Sequence, residues 1–387
     1  MTNALPPHVS AALPKIATPA YVVDMALLKR NMAVARHIRE AAGCRILLAT
    51  KSFALPAVFP LMRESLDGTT ASGVHEARLG REEFGREVHT FSPAYTSGSL
   101  AELLAYSDHI YFNSADQVLR FLPAVRGAGP ARKVGVRINP GYSRVTLGGS
   151  LYDPCSSRSR FGVLPTDLEK LPWEEIDILH VHTLCESLHD GSVGLIDHVA
   201  GEFAPFVRKV RAVNFGGGHF IGKAGYDVEA LVKAIREFRA AFGVEVILEP
   251  GSGLVVDAGY LAATVLDVVR NETDIAVCDA SAACHMPDVL EVPYTPPLFG
   301  AAKPGELPHT CTLAGNTCMT GDVIGEYSFA KPLEPGDRLV FGDMLQYSFV
   351  KNNTFNGTPL PDIGLLHEDG RYEAVKRFGY GDFRARL

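Results

Sequence analysis

The chain has 387 residues, of which 47% are hydrophobic and 21% are charged, and its formal net charge is -7. These values are typical of a globular protein, and a chain of this length exceeds the size at which a single hydrophobic core usually stops growing, so two domains are expected. The acidic balance argues against a nucleic-acid partner, because phosphate backbones attract lysine and arginine concentrated on one face. A small cationic substrate would suit this charge.

The N-terminal segment lacks the basic stretch and the apolar run of a targeting signal, and no run of about 18 apolar residues occurs. We therefore expect a cytoplasmic protein that does not bind membranes. The seven cysteines show no CxxC spacing, so the sequence indicates neither a disulfide framework nor a zinc site. Most of them are expected to be buried, inert thiols.

In chain order, short apolar runs alternate with amphipathic stretches through the first two thirds of the sequence. Helices are predicted at 26–42, 55–66 and 74–84 and from near 227, and strands at 46–49, 68–71, 110–112, 134–138, 178–182, 212–215 and 244–248. Strands that alternate with helices pair in parallel. The pattern predicts a (β/α)8 TIM-type barrel over residues 25–255.

After Gly251 the pattern changes to β-rich runs separated by proline and glycine turns. The runs lie at 261–269, 275–278 and 338–341. This spacing predicts a mainly antiparallel β domain over residues 256–387. The early run 18–24 precedes the first barrel helix and could join the same sheet, so residues 1–24 are assigned to this domain.

Lys51 directly follows an apolar strand, in the stretch LLATKS (47–52). In a barrel, residues at the carboxyl ends of strands face the active site, so this lysine is a candidate for the chemistry. The alternative is a solvated loop lysine, and position alone does not separate the two. A lysine that binds a cofactor carbonyl must be partly desolvated, so that its amine can lose a proton.

Three other predicted strand ends carry groups that could serve a cofactor. The glycines 216–218 could bring backbone N–H groups close to a phosphate, although such a cluster is more often an ordinary turn. Glu249, before the turn 250–253, could keep a pyridine nitrogen protonated, the alternative being a capped turn. His182 could stack on a ring, while His180 would lie deeper in the barrel. The two histidines also resemble metal ligands, but no cysteine or carboxylate spacing completes a metal site.

These residues lie within stretches that identify a family. The chain resembles the fold-type III decarboxylases that depend on pyridoxal 5'-phosphate (PLP), which include the diaminopimelate, ornithine and arginine decarboxylases. The resemblance is strongest to the group that acts on carboxynorspermidine and carboxyspermidine, and it extends from about residue 18 to residue 357. The stretches that carry it are LDGTTAS (66–72), EVHTFSPAY (87–95), SDHIYFNS (107–114), HMPDVLEVPY (285–294), GNTCMTGDVIGEYSF (315–329) and the block 343–357.

The resemblance implies a role for each candidate residue. Lys51 would bind PLP covalently, His182 would stack on its ring and Glu249 would pair with the ring nitrogen. Arg137 would lie beneath the cofactor. The phosphate would be held by Gly216, Gly217, Gly218, Gly251, Ser252, Gly253 and Tyr347. The active site would be shared across a homodimer, with Cys318 and Asp322 reaching in from the second subunit, and Cys318 or Lys51 would return a proton to the decarboxylated carbon.

Two departures from the diaminopimelate decarboxylases bear on the substrate. Ser252 stands where those enzymes carry an arginine, and Met319 replaces their glutamate after the catalytic cysteine, so an α,ω-diacid substrate is disfavoured. The group that acts on carboxynorspermidine usually has an acidic residue at the Ser252 position and a different stretch at 73–75. A polyamine-like substrate needs carboxylates for its ammonium groups. The candidate carboxylates are Glu186, Asp288, Glu291 and Asp322.

The sequence therefore predicts a PLP-dependent decarboxylase of polyamine biosynthesis, which gives norspermidine or spermidine and CO2. Two alternatives stay open: a decarboxylase of diaminopimelate, ornithine or a lysine-like amino acid, and a catalytically silent homologue that regulates a partner. A racemase is disfavoured because the chain resembles the Thr-Cys motif of the decarboxylases. The sequence does not separate carboxynorspermidine from carboxyspermidine, whose difference of one methylene is typically worth only about 1–3 kcal/mol even in a fitted pocket.

Overall fold

The computed structural model describes residues 4–129, 131–145 and 152–387, so the first three residues of the predicted β domain lie outside it. Its contacts divide the chain into two units. One contains residues 31–254, and the other contains the residues up to Arg30 together with 255–387. None of the described helices is both long enough and apolar enough to cross a bilayer.

The described residues form sixteen strands and fourteen α-helices. The strands are β1 (Ala20–Asp24), β2 (Arg45–Ala49), β3 (Gly68–Ala71), β4 (Glu87–Phe91), β5 (His109–Phe112), β6 (Lys133–Ile138), β7 (Ile178–Val181), β8 (Ala212–Asn214), β9 (Glu245–Leu248), β10 (Gly259–Arg270), β11 (Asp274–Cys278), β12 (His309–Gly315), β13 (Val323–Phe329), β14 (Arg338–Gly342), β15 (Asp362–Leu366) and β16 (Tyr372–Lys376). The helices are α1 (Pro7–Ala12), α2 (Met25–Ala42), α3 (Phe59–Arg63), α4 (Val74–Leu79), α5 (Ser97–Tyr106), α6 (Ala115–Gly127), α7 (His189–Glu202), α8 (Ala204–Val207), α9 (Val228–Phe242), α10 (Ser252–Val255), α11 (Ala282–His285), α12 (Asp288–Glu291), α13 (Ser348–Lys351) and α14 (Tyr380–Ala385).

The first unit is a closed barrel of eight parallel strands, β2 to β9, in which each strand pairs with the next and β2 pairs with β9. This confirms the predicted barrel. Because the strands are parallel, their carboxyl ends meet at one face, which is where barrel enzymes place their active sites.

Helix α9 shows how the sequence builds the outer layer of the barrel. The side chain of Asp227 accepts a hydrogen bond from the backbone N–H of Ala230 at 3.0 Å, which caps the first turn. Leu231, Ile235 and Phe238 follow at helical spacing and are buried. Burial of an apolar side chain of this size is worth about 1.5–3 kcal/mol, so this face holds the helix on the barrel.

The predicted helix at 55–66 is wrong in extent. A 3-10 turn over Pro56–Val58 precedes the short helix α3. Both elements begin with a proline in the first turn. Proline has no N–H to donate inside a helix, so Pro60 is accommodated where a new helix starts.

Strand β4 is the barrel strand that the apolar pattern does not reveal. It carries Glu87 and His89 on the same face as Phe91, and His89 is fully buried. A strand that directs polar side chains inward lacks the apolar alternation on which strand prediction depends. The barrel interior is therefore more polar than the sequence pattern suggested.

The second unit is an eight-stranded sheet with the order β13-β12-β11-β10-β1-β15-β16, to which β14 is added by pairing with β10. The pairs β1–β15 and β11–β12 are parallel, and the others are antiparallel. The N-terminal strand β1 lies between β10 and β15. This confirms a mainly antiparallel β domain that takes in the N-terminal strand. Val22, Tyr260, Ala262, Val340 and Leu366 belong to its buried core.

Candidate active site

Lys51 lies just beyond the carboxyl end of β2. The backbone N–H of Thr50 donates to the Thr70 carbonyl at 3.2 Å, and that of Ser52 to the Ala49 carbonyl at 3.0 Å, which fixes the loop. The Lys51 side chain is exposed, whereas Thr50 and Ser52 are buried. The surrounding protein removes water from the amine at the end of the side chain, and this desolvation lowers the pKa of Lys51. The positive charge of Arg137 lowers it further, while the negative charge of Glu249 opposes both effects. A lower pKa increases the neutral, nucleophilic fraction of the amine.

His182 follows the last residue of β7 and is half-buried. The N–H of Gly217 donates to its Nδ1 at 3.1 Å, and the Arg137 guanidinium donates to its carbonyl oxygen at 2.7 Å. Burial holds the pKa of His182 well below its usual range, and the charges of Lys51 and Arg137 act in the same direction. The imidazole is therefore neutral and fixed in orientation, as a ring that stacks on a flat cofactor needs to be.

Glu249 follows the end of β9 and is only 3% exposed. The Asn214 amide nitrogen donates to its Oε1 at 2.7 Å, and His180 Nε2 lies 3.5 Å from its Oε2. Burial opposes ionisation of Glu249, but the nearby His180 and His89 imidazoles and the hydrogen bond from Asn214 outweigh it and lower the pKa of Glu249 to about 2. The site thus contains a buried carboxylate that can accept a hydrogen bond from a protonated ring nitrogen.

Arg137 is the second-last residue of β6 and is buried. Its guanidinium lies over the rings of Phe91 and Phe161, 4.7 and 4.2 Å from their centroids. Burial lowers the pKa of Arg137 to about 9. Stacking between two aromatic rings supports a buried cation in the barrel.

Two glycine loops lie next to these groups. Gly216 and Gly218 have φ angles of 66° and 88°, which side chains rarely adopt. A Cβ on Gly217 would lie 2.7 Å from the Glu249 carbonyl oxygen and 3.1 Å from His182 Cε1, and one on Gly253 would lie 2.3 Å from the His219 carbonyl oxygen. These loops therefore expose backbone where a side chain has no room, as a phosphate cradle requires.

The turn 251–253 and the Lys51 loop are neighbours. Ser52 Oγ lies 3.4 Å from Ser252 Oγ, and a Cβ on Gly251 would lie 2.5 Å from that of Ser52. The donor set of the barrel thus fits the predicted cofactor PLP. Lys51 can bind its carbonyl, Glu249 can face its ring nitrogen, His182 offers a neutral ring, and the glycine loops can approach its phosphate.

In the sheet unit, Asp322 is buried and accepts three hydrogen bonds. Ser281 Oγ and Thr317 Oγ1 donate to its Oδ2 at 2.8 and 2.7 Å, and the N–H of Ala283 donates to its Oδ1 at 3.1 Å. These bonds tie down the loop that carries the exposed Cys318. They support a positioning function for Asp322, and its contact with substrate stays a prediction.

The other predicted residues are also accounted for. Asp288 and Glu291 both pair with the Nζ of Lys351, so together the three side chains carry about one negative charge. Glu186 is exposed with a φ of 43°. Tyr347 directly precedes α13 with a φ of 49°. Positive φ in residues with side chains is often found at functional sites, but their ligand contacts stay predictions.

The sequence interpretation missed three buried polar side chains inside the barrel, His89, Tyr111 and Asn214. His89 and Tyr111 lie within strands β4 and β5, and Asn214 is the last residue of β8. A polar residue in a barrel strand was the available signal, since such a side chain must be hydrogen-bonded if it points inward.

The family model described as "Pyridoxal-dependent decarboxylase, C-terminal sheet domain" matches residues 20–344. The chain is 37% identical to the carboxynorspermidine/carboxyspermidine decarboxylase of Campylobacter jejuni, over 96% of this chain and 99% of that protein. It is 39% identical to the carboxyaminopropylagmatine decarboxylase of Synechocystis sp., over 97% and 96%. Among solved structures, carboxynorspermidine decarboxylase from Campylobacter jejuni complexed with norspermidine has a TM-score of 0.88 at 35% identity, covering 96% of this chain and 100% of that one.

Proposed function

The chain belongs to the pyridoxal-dependent decarboxylases, and on that premise we propose that it decarboxylates carboxynorspermidine or carboxyspermidine. The products are norspermidine or spermidine and CO2, and the pathway is polyamine biosynthesis. The observation that carries the proposal is the near full-length similarity to a relative with that activity, at 37% identity, in a chain that keeps Lys51, His182 and Glu249 together at one end of the barrel.

The site residues have separable roles in this reaction. Bound PLP supplies an electron sink for the electrons that remain when CO2 leaves. Glu249, ionised and buried, would accept the ring N–H and keep that nitrogen protonated. His182 would offer its neutral imidazole to the ring, and Arg137 would lie beneath the cofactor. Lys51 would provide the amine that holds the cofactor between turnovers.

After CO2 leaves, a proton must return to the substrate carbon before the product is released. Two groups of this chain can do this, the Cys318 thiol and the Lys51 amine. We propose a homodimer in which Cys318 reaches the barrel of the partner, so the barrel of residues 25–255 and the β domain of residues 1–24 and 256–387 both contribute to catalysis. A cytoplasmic location is part of the same proposal.

A second candidate substrate is carboxyaminopropylagmatine, which is favoured by the 39% identity to the Synechocystis relative over 97% of this chain. This substrate ends in a guanidinium, a planar group that binds carboxylates through two hydrogen bonds, whereas the ammonium of a polyamine is a point charge. Both substrate types need anionic groups at the far end of the site. Glu186, Asp288 and Glu291 are the proposed groups.

Release of CO2 from a substrate panel tests the proposal. The panel contains carboxynorspermidine, carboxyspermidine, carboxyaminopropylagmatine, diaminopimelate, ornithine and lysine. We expect turnover of the carboxylated polyamines to exceed that of diaminopimelate by at least about tenfold, because Ser252 offers no cation to its second carboxylate. The Lys51→Ala variant should release CO2 only at background, and Lys233→Ala, which removes an exposed lysine on α9, should match the wild type. A wild-type rate in Lys51→Ala, or a preference for diaminopimelate, would refute the proposal.

A further inference from the structure

Glu249 stands at one end of a chain of hydrogen bonds inside the barrel. The Asn214 amide nitrogen lies 2.7 Å from Glu249 Oε1 and 3.0 Å from the Tyr111 hydroxyl, and that hydroxyl lies 2.9 Å from Nδ1 of His89. Asn214, Tyr111 and His89 are fully buried. Four side chains from β4, β5, β8 and the end of β9 are thus linked without passing through solvent.

The orientation of Asn214 fixes the hydrogens along this chain. Its Oδ1 accepts the N–H of Gly216 at 2.8 Å, so its NH2 group faces Glu249 and Tyr111. One N–H donates to each of them. The Tyr111 hydroxyl accepts from Asn214 and must therefore donate to Nδ1 of His89. Burial, together with the charge of His109, lowers the pKa of His89 to about 4, so Nδ1 is free to accept at neutral pH.

Beyond His89, whose Nε2 lies 3.5 Å from Glu87 Oε2 without a hydrogen bond, is an ion pair. Arg45 donates to both oxygens of Glu87 at 3.0 and 3.2 Å, and His109 Nε2 lies 3.1 Å from Glu87 Oε1. Glu87, His89 and His109 lie close enough to share a metal ion. The Arg45 guanidinium already neutralises Glu87, so we assign no metal ion to these three residues. The ion pair instead fixes the position of Glu87 next to His89.

We propose that Asn214 and Tyr111 are positioning residues that hold Glu249 as a hydrogen-bond acceptor for the cofactor. Because Asn214 donates to Oε1, it sets the rotation of the carboxylate, and Oε2, which lies 3.5 Å from His180 Nε2, can accept from a further donor. Tyr111 accepts the second N–H of Asn214, which would otherwise be unpaired in the barrel core and would favour other orientations of the amide. This inference rests on the role proposed above for Glu249.

Two buried tyrosines provide a matched pair of variants. Tyr111→Phe breaks the chain. Tyr95→Phe removes another buried hydroxyl, which accepts the Ser92 N–H and donates to the Tyr111 carbonyl oxygen, both at 2.8 Å. Tyr111→Phe removes two hydrogen bonds, and Tyr95→Phe removes the two at 2.8 Å and a longer one of 3.4 Å to the Thr90 carbonyl oxygen, but only the Tyr111 hydroxyl is linked through side chains to Glu249. Both variants should therefore unfold at similarly lowered temperatures.

Titration of each apoprotein with PLP, followed by absorbance, separates the two variants. Tyr111→Phe should bind PLP about 2–10-fold more weakly than Tyr95→Phe, the range that corresponds to the net value of one hydrogen bond. Its kcat should fall while KM for the substrate stays unchanged, because Tyr111 is not expected to touch the substrate. Asn214→Leu, which removes the donor itself, should weaken PLP binding further, with its folding checked by circular dichroism.

Equal PLP affinity and equal kcat in the two phenylalanine variants would overturn the inference. If Asn214→Leu does not fold, the comparison of Tyr111→Phe with Tyr95→Phe still decides. Failure of the proposed function would appear differently, as a wild-type protein that neither binds PLP nor releases CO2. A wild type that does both, with indistinguishable phenylalanine variants, would leave the function standing and remove the positioning role.

Discussion

At the scale of single residues, buried histidines are held in one protonation state by their hydrogen bonds. His285 in the sheet unit is fully buried. The Ser281 N–H donates to its Nδ1 at 3.1 Å, and its Nε2 lies 3.0 Å from the Pro359 carbonyl oxygen. Because Nδ1 accepts, the hydrogen of the neutral ring is on Nε2. Burial lowers the pKa of His285 to about 4.

This lowered pKa makes the stability of the sheet unit depend on pH. The unfolded chain binds the proton at a pKa of about 6.5, so His285 contributes its full stability above that pH. As the pH falls from about 6.5 to about 4, we expect the free energy of unfolding to fall by about 1.4 kcal/mol per pH unit for this one group, and to level off below. Urea unfolding over this range should show a shallower slope for His285→Gln than for the wild type. An unaltered slope in His285→Gln would contradict the assignment.

The sequence reveals only some of the residues that form the site. Lys51, His182 and Glu249 each follow an apolar strand, so their shared location at one barrel face could be inferred from the parallel fold alone. Asn214 and Tyr111 could not be assigned in this way. Which inward side chains meet depends on the registers of neighbouring strands, such as His180 opposite Asn214 between β7 and β8, and a single sequence does not contain that information.

At the scale of elements, the glycine loops matter because of what surrounds them. Gly218 and Gly225 have nearly the same φ, 88° and 86°. A Cβ on Gly218 would lie 2.1 Å from the Leu184 carbonyl oxygen, whereas one on Gly225 would meet nothing within 4 Å. The two positions therefore share the cost of a side chain at positive φ, about 1–2 kcal/mol, but only Gly218 adds a clash with backbone.

Alanine at these two positions tests the predicted phosphate cradle. Both variants should lose a similar amount of stability from backbone strain. Gly218→Ala must also shift the 216–218 loop away from the 184 carbonyl, so we expect its affinity for PLP to fall by at least about tenfold, while Gly225→Ala stays near the wild type. Titration of the apoproteins with PLP measures this difference. Equal affinities would mean that the loop does not contact the phosphate.

Elements whose signals lie in the local sequence could be predicted, whereas elements that depend on distant residues could not. Helix α9 has an aspartate cap and an apolar face, and its predicted start near residue 227 is confirmed. Strand β4 depends on partners in β2 and β5 for its polar residues: Arg45 bonds to Glu87, and Tyr111 bonds to His89. No local pattern indicates these partners. The prediction of one helix over 55–66 gave too much weight to the apolar spacing and too little to Pro56 and Pro60, which each lie at the start of a separate element.

At the scale of the whole molecule, the sheet unit joins the two ends of the chain. Strand β1 pairs with β10 and β15, which follow it by more than 200 residues. Such non-local pairing forms slowly because loop closure is required before contacts form. The sequence indicated this arrangement because the run 18–24 reads as a strand and precedes the first barrel helix.

The proposed sharing of active sites between subunits can be tested by complementation. Lys51 belongs to the barrel unit and Cys318 to the sheet unit. If Cys318 serves the barrel of the partner, a dimer of one Lys51→Ala subunit and one Cys318→Ala subunit has one site with both defects and one site that is intact. Random mixing of equal amounts makes about half of the dimers mixed, so CO2 release should recover to about a quarter of the wild-type rate.

A second pair of variants provides the control for this experiment. In a mixture of Lys51→Ala and Glu249→Ala, both changes lie in the barrel unit. Each barrel of a mixed dimer therefore carries one defect, and activity should not recover. Native mass spectrometry would verify that mixed dimers form in both cases. If they form and the Lys51→Ala and Cys318→Ala mixture stays inactive, each subunit must use its own Cys318. If instead Cys318→Ala alone keeps the wild-type rate, the proton must come from Lys51, and Cys318 would have no direct part in the chemistry.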